Sequence, residues 1–122
     1  MKVPILLFAL LAGSCALPTA DRSAAGGDLA GRTPGDPRQC ISLSQTETLR
    51  TSDVDPHSLI YGSGGTLWVN RIGQCAFGSN DLLVTEPMGS YLCRGDLVRS
   101  FDRTSHVPGR SCVLGDFVPY HL

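Results

Sequence analysis

Four cysteines, Cys40, Cys75, Cys93 and Cys112, punctuate the last two-thirds of this chain and restrict its fold more than any other feature. A domain of this length is marginal on hydrophobic burial alone. Two disulfides, each contributing typically about 2–4 kcal/mol, would decide whether it folds. Such bonds persist in oxidising compartments. Four cysteines allow three connectivities, and sequence does not choose among them. Cys75 and Cys93 flank a strand-like run, so the favoured pairing has them clasp it. Cys40 and Cys112 then tie the first strand to the last.

The first twenty residues, MKVPILLFALLAGSCALPTA, carry the compartment signal. Lys2 is a minimal positive start and Val3 to Ala12 an apolar run, shorter than the roughly 20 residues a membrane-spanning helix needs. The segment reads as an export signal. Leu11-Ala12-Gly13-Ser14-Cys15 resembles a bacterial lipobox, with Ala12 where Leu is usual, which makes Cys15 the expected lipidation site. The competing reading is ordinary cleavage after Ala16 and free secretion. Either way an even set of four cysteines remains for the domain. Lipid on Cys15 would hold the chain at a membrane surface without spanning it. Ala16 after that cysteine, by the usual bacterial sorting pattern, favours the outer membrane, facing the periplasm.

Residues 16–39, ALPTADRSAAGGDLAGRTPGDPRQ, hold only Leu17 and Leu29 as large apolar side chains. So little apolar surface does not offset ordering entropy, and a flexible tether is expected. The expected organisation is a signal over 1–15, a linker over 16–39 and one small domain over 40–122. With a net charge of −1 and Lys2 as the sole lysine, the chain lacks the cationic excess that nucleic-acid binding requires.

From Cys40 onward, short apolar runs alternate with turn signals and no 3.6-residue stripe appears. Strands are predicted near Ile41–Thr51, Ser58–Tyr61, Thr66–Arg71, Leu82–Glu86, Tyr91–Phe101 and Cys112–Pro119. Asp55-Pro56 starts a turn, and Gly62-Ser63-Gly64-Gly65 closes a hairpin. Pro87-Met88-Gly89-Ser90 joins another pair, and Val107-Pro108-Gly109 interrupts the last connection. Along Thr66–Asn70, Leu67 and Val69 fall to one side, and Thr66, Trp68 and Asn70 to the other. The expected fold is all-β: a small antiparallel sheet or open barrel of five to six strands, braced by disulfides.

Arg94-Gly95-Asp96 spells an adhesion tripeptide, but it sits in a strand-like run beside a cysteine. Gly95 there reads as a bulge or a close backbone approach, and Arg94 and Asp96 as a solvated strand face. Together with Cys40-Ile41-Ser42-Leu43, Leu67-Trp68-Val69-Asn70-Arg71-Ile72 and Ser111-Cys112-Val113-Leu114-Gly115-Asp116-Phe117, the run Leu92–Val98 resembles a family of small proteobacterial envelope proteins. These are often described as putative lipoproteins and form a domain of unknown function. The resemblance covers about residues 38–120. It implies an envelope location and the four-cysteine framework, and it carries no activity. Ala76-Phe77-Gly78 departs from the Cys-Pro-Gly-Leu-like turn common in that family.

Chemical motifs are sparse. Gly-x-Ser-x-Gly spacing is absent, no phosphate-binding loop occurs, and no cysteine or histidine spacing suits zinc. No catalytic residue, metal or cofactor is therefore expected. Trp68, Tyr61 and Arg94 are the candidate binding residues, although aromatic side chains in a small sheet are needed as core. The favoured reading is a non-catalytic, lipid-anchored binding or scaffolding module whose partner is an envelope protein or small ligand. The alternatives are a small periplasmic hydrolase using His57 with Asp53 or Asp55 and a serine, or a secreted inhibitor-like disulfide module.

Overall fold

β-Branched and aromatic residues of the stretch Thr66–Arg71 suit a pleated surface, and this strand is the centre of the molecule. The computed structural model describes residues 27–78 and 80–122, so the export signal, Cys15 and residues 16–26 lie outside the described residues. Among the described residues there are ten strands: β1 (Thr33–Pro34), β2 (Cys40–Ser42), β3 (Leu49–Thr51), β4 (Ser58–Tyr61), β5 (Thr66–Arg71), β6 (Asp81–Glu86), β7 (Tyr91–Cys93), β8 (Leu97–Asp102), β9 (Pro108–Val113) and β10 (Phe117–His121). They form three antiparallel sheets, ordered β1-β10-β5-β4-β3, β2-β7 and β6-β8-β9. The all-β class stands.

β5 separates two apolar clusters. Trp68 faces the main core with Leu59, Tyr61 and Phe117 from its own sheet, Ile41 and Leu92 from the small sheet, and Val98 and Cys112 from the third. Leu67 and Val69 face the other way, with Ile60 and Tyr120, into a second cluster capped by Leu29. The predicted alternation along β5 therefore has the right phase. Both of its faces are buried, which explains the nearly continuous burial from Leu67 to Asn70.

Leu29 corrects the expected linker. The chain from Gly27 onward packs with the domain, so residues 27–39 are not a free linker. Leu29, 1% exposed, needs no apolar neighbours on its own segment, because it lands on an apolar surface that β4, β5 and β10 already present. Hydrogen bonds secure the rest. Arg32 donates to the carbonyls of Gly64 (2.6 Å) and Gly65 (3.0 Å), clamping the β4–β5 hairpin. The Gly35 N–H reaches Pro119 O at 2.7 Å, and Arg38 exchanges both backbone bonds with Phe117 (2.7 and 2.8 Å).

Three predicted strands break. Ile41–Thr51 divides into β2 and β3 around a 3₁₀ turn at Leu43–Gln45. Tyr91–Phe101 divides into β7 and β8. Cys112–Pro119 spans the end of β9, a loop and most of β10, while Pro108 and Gly109 lie inside β9 rather than interrupting a connection. Pro87–Ser90 links β6 to β7, which sit in different sheets. Each break lets the chain change partner, something periodicity within one segment does not reveal.

The disulfides are Cys40–Cys93 and Cys75–Cys112, correcting the expected Cys75–Cys93 and Cys40–Cys112. Cys40 faces Cys93 directly in the β2–β7 register. Cys112 lies on β9, beside β8 in the three-stranded sheet, whereas Cys40 sits on β2 of the two-stranded sheet. Cys75 instead fastens the segment after β5 to β9, joining the five-stranded sheet to the three-stranded one. Loops of 53 and 37 residues are closed, for which chain entropy gives about 4 kcal/mol each.

Candidate functional site

The run Ser42-Leu43-Ser44-Gln45-Thr46 has too few apolar side chains for a buried strand, and it turns. The Thr46 N–H and hydroxyl both reach Leu43 O (3.0 and 2.8 Å), while Ser42 Oγ contacts Ser44 Oγ (3.0 Å) and Gln45 Oε1 (3.3 Å). The chain then passes the β4–β5 hairpin, where the Gly62 N–H donates to Thr48 O at 2.9 Å. Gly62 has φ +92°, and a Cβ there would stand 3.4 Å from Thr66 O and 4.0 Å from Trp68 Cδ1. A glycine lets this loop lie close to the indole edge.

Between that turn and the hairpin lies a cavity of about 270 Å³ at one end of the main core. Trp68 forms its apolar wall at 5% exposure. The Arg38 guanidinium stands 5.7 Å from the indole centroid, within cation–π range, so the ring is pinned. Its Nε1 is buried with no hydrogen-bond partner among the described residues. An N–H left so costs about 1–3 kcal/mol. The remaining lining is polar, with Thr48, Ser63 and Glu47 among it. None of these three side chains makes a hydrogen bond or ion pair with a described residue, whereas Thr66 Oγ1 shares one with His121 Nδ1 at 3.0 Å.

Of the three candidate binding residues, Trp68 lines this cavity and the other two lie elsewhere. Tyr61 is fully buried, packs edge-on against Phe117 (5.7 Å between centroids), and shares a hydrogen bond with Thr85 (3.1 Å). Burial pushes its phenol up to about 12. Arg94 is exposed and pairs with Asp116 at 3.5 Å. The polar wall was missed because residues 42–48 were read as strand. Their Ser/Thr/Gln/Glu composition was the available sign of a loop.

Arg94-Gly95-Asp96 forms the turn between β7 and β8, not a strand, with Asp96 N–H to Cys93 O at 3.0 Å. Gly95 has φ +93° and nothing within 4 Å of its absent side chain, so backbone conformation rather than close approach requires glycine. Asp96 is not solvated. At 9% exposure its Oδ2 accepts the Cys93 N–H (2.7 Å), and its backbone pairs with Leu114 (2.9 Å). The carboxylate that an adhesion motif must present is turned inward.

The His57 region is also put to local use. Asp55 accepts from the His57 N–H (3.0 Å) and the Ser58 hydroxyl (2.7 Å). Burial opposes its charge, but these two donors outweigh that and hold its carboxyl below the ordinary value. His57 Nδ1 lies 2.9 Å from Cys75 O; a carbonyl only accepts, so Nδ1 donates the proton. The bonds run from serine directly to carboxylate and from imidazole to backbone, without a serine–imidazole–carboxylate chain. Asp53 lies instead beside a 3₁₀ turn at Gly27–Leu29, where its Oδ1 accepts from the Asp28 N–H at 3.4 Å.

Comparisons with protein-family models, curated proteins and solved structures return no match to this chain. Among the described residues no helix is long and apolar enough to cross a membrane.

Proposed function

We propose that this chain is a non-catalytic binding module of the bacterial envelope, held at the outer membrane by lipid on Cys15 and taking a small polar ligand beside Trp68. The single observation that carries the binding reading is the cavity of about 270 Å³ between the Leu43–Gln45 turn and the β4–β5 hairpin, walled by Trp68 and polar side chains. Pinned walls, fastened by the Gly62–Thr48 bond and the Arg38 contact, suit recognition, since a preformed pocket spends little on ordering when it binds. Two closed disulfides suit an oxidising compartment. The lipobox-like Leu11–Cys15 supports the membrane attachment.

The chain contains one tryptophan, so a proton–nitrogen spectrum of the mature ¹⁵N-labelled protein contains one indole resonance. Adding the small-molecule fraction of a bacterial envelope extract is expected to shift that resonance together with the amides of Gly62 and Ser63. An extract that leaves all three unmoved, with the spectrum otherwise that of a folded protein, contradicts the binding reading.

A further inference from the structure

We infer that the Cys40–Cys93 bridge is a reversible thiol–disulfide exchange site, opened by a dithiol that attacks Cys40 while Cys75–Cys112 stays closed. This goes beyond the binding reading and does not depend on it. In the β2–β7 pair the register sets Cys40 opposite Cys93, Ile41 opposite Leu92 and Ser42 opposite Tyr91. Alternation along the strands then sends the two apolar residues to one face and the bridge to the other. Ile41 and Leu92 are 3% and 0% exposed and belong to the main core, whereas Cys40 is exposed and Cys93 half-buried. The second bridge sits differently. Cys112 is 3% exposed within that same core, and Cys75 packs partly buried against it. Exchange begins when a thiolate attacks one sulfur of a disulfide, so access decides which bridge reacts first. Cys40 is the cysteine that solvent reaches most readily.

The strands on either side of this bridge are anchored without it. Arg38, two residues before Cys40, exchanges both backbone bonds with Phe117, and the Arg94 N–H donates to Gln39 O at 2.7 Å. Asp96 Oδ2 accepts the Cys93 N–H at 2.7 Å. Opening the bridge therefore gives up the closure of a 53-residue loop while Ile41 and Leu92 keep their places in the core. The two sulfurs stay opposite each other, so the bond re-forms once the reductant is withdrawn. Opening Cys75–Cys112 would instead release a core residue and unfasten β9 from the segment after β5. The chemistry balances as an ordinary exchange. A thiolate of the dithiol bonds to Cys40 Sγ, the Cys40–Cys93 bond breaks, and Cys93 leaves as a thiolate that takes up a proton. The second thiol of the reductant then attacks the mixed disulfide, closing the reductant's own disulfide and freeing Cys40 as a thiol. A monothiol has no second sulfur to complete this step, so its mixed disulfide on Cys40 can be trapped.

The test exposes the mature, oxidised and folded chain to dithiothreitol, quenches samples over time with N-ethylmaleimide, and maps the labelled cysteines by mass. Cys40 and Cys93 are expected to take the label about tenfold or more faster than Cys75 and Cys112, as their difference in access implies. The species labelled only at Cys40 and Cys93 is expected to keep the dispersed proton–nitrogen spectrum of a folded protein. Before quenching, oxidised dithiothreitol is expected to restore the bridge. With glutathione as the monothiol, the mixed disulfide is expected on Cys40. Four results overturn the inference: the two bridges open together, Cys75–Cys112 opens first, the species open at Cys40 and Cys93 is unfolded or does not re-close, or glutathione is found on Cys93 in preference to Cys40.

Discussion

Asp96 and Trp68 show how far a residue's identity is from its role. In the tripeptide, the aspartate that would have to face a partner closes its own turn, and the arginine beside it is ion-paired to Asp116. Nothing in the letters Arg-Gly-Asp distinguishes a displayed loop from a tucked one; the hydrogen bond to Cys93 N–H does. Trp68 was legible as core or binding residue; its ring is buried in the main core and also lines the cavity beside the β4–β5 hairpin. Asn70, fully buried, exchanges 2.8 Å bonds with both backbone groups of Gly115, which holds the loop before β10 in place. Tyr61 yields a prediction. Its folded phenol sits at about 12 against an ordinary 10.0, so the protonated form is favoured by folding. Its contribution is complete below pH 10 and is lost as the pH rises through 12. Wild-type melting temperature is expected to drop across that window and the Tyr61→Phe variant to drop less. Equal alkaline losses in the two proteins would contradict the assignment.

At the scale of elements, legibility followed the number of partners a segment has. Ser58–Tyr61 and Thr66–Arg71 emerge as predicted because each is one strand joined to the next by a glycine-rich hairpin. The longer runs failed where the chain leaves one sheet for another, at Leu43–Gln45 and at Arg94-Gly95. The polar make-up of 42–48 was a loop sign left unread, whereas Arg94-Gly95 is a two-residue interruption in a longer strand-like run. The disulfide pairing failed for a separate reason: Cys40 meets Cys93 only because β2 pairs β7, a long-range register that spacing does not encode. The N-terminal segment was misjudged by counting its own apolar residues, when its stability comes from the surface it covers. Leu29→Ala should uncover Ile60, Leu67, Val69 and Tyr120 and cost about 2–5 kcal/mol, read as a lowered urea midpoint. A change below about 0.5 kcal/mol, the range of ordinary surface substitutions, would mean that the segment contributes nothing to the domain.

On the scale of the whole molecule, a five-stranded sheet with apolar residues on both faces is held to two smaller sheets through one main core and the Cys75–Cys112 bridge. The Cys40–Cys93 bridge fixes the small sheet from which the cavity-forming turn departs. Covalent closure therefore supports the cavity beside Trp68 as well as the fold. The central claim is that four sulfurs, in one particular pairing, hold these sheets together. Peptide mass mapping of the non-reduced protein, after alkylation of free thiols, tests it most directly. The account predicts peptides cross-linked through Cys40–Cys93 and Cys75–Cys112 with neither pair alkylated; Cys75 joined to Cys93, or any of the four recovered alkylated in the folded protein, would contradict it.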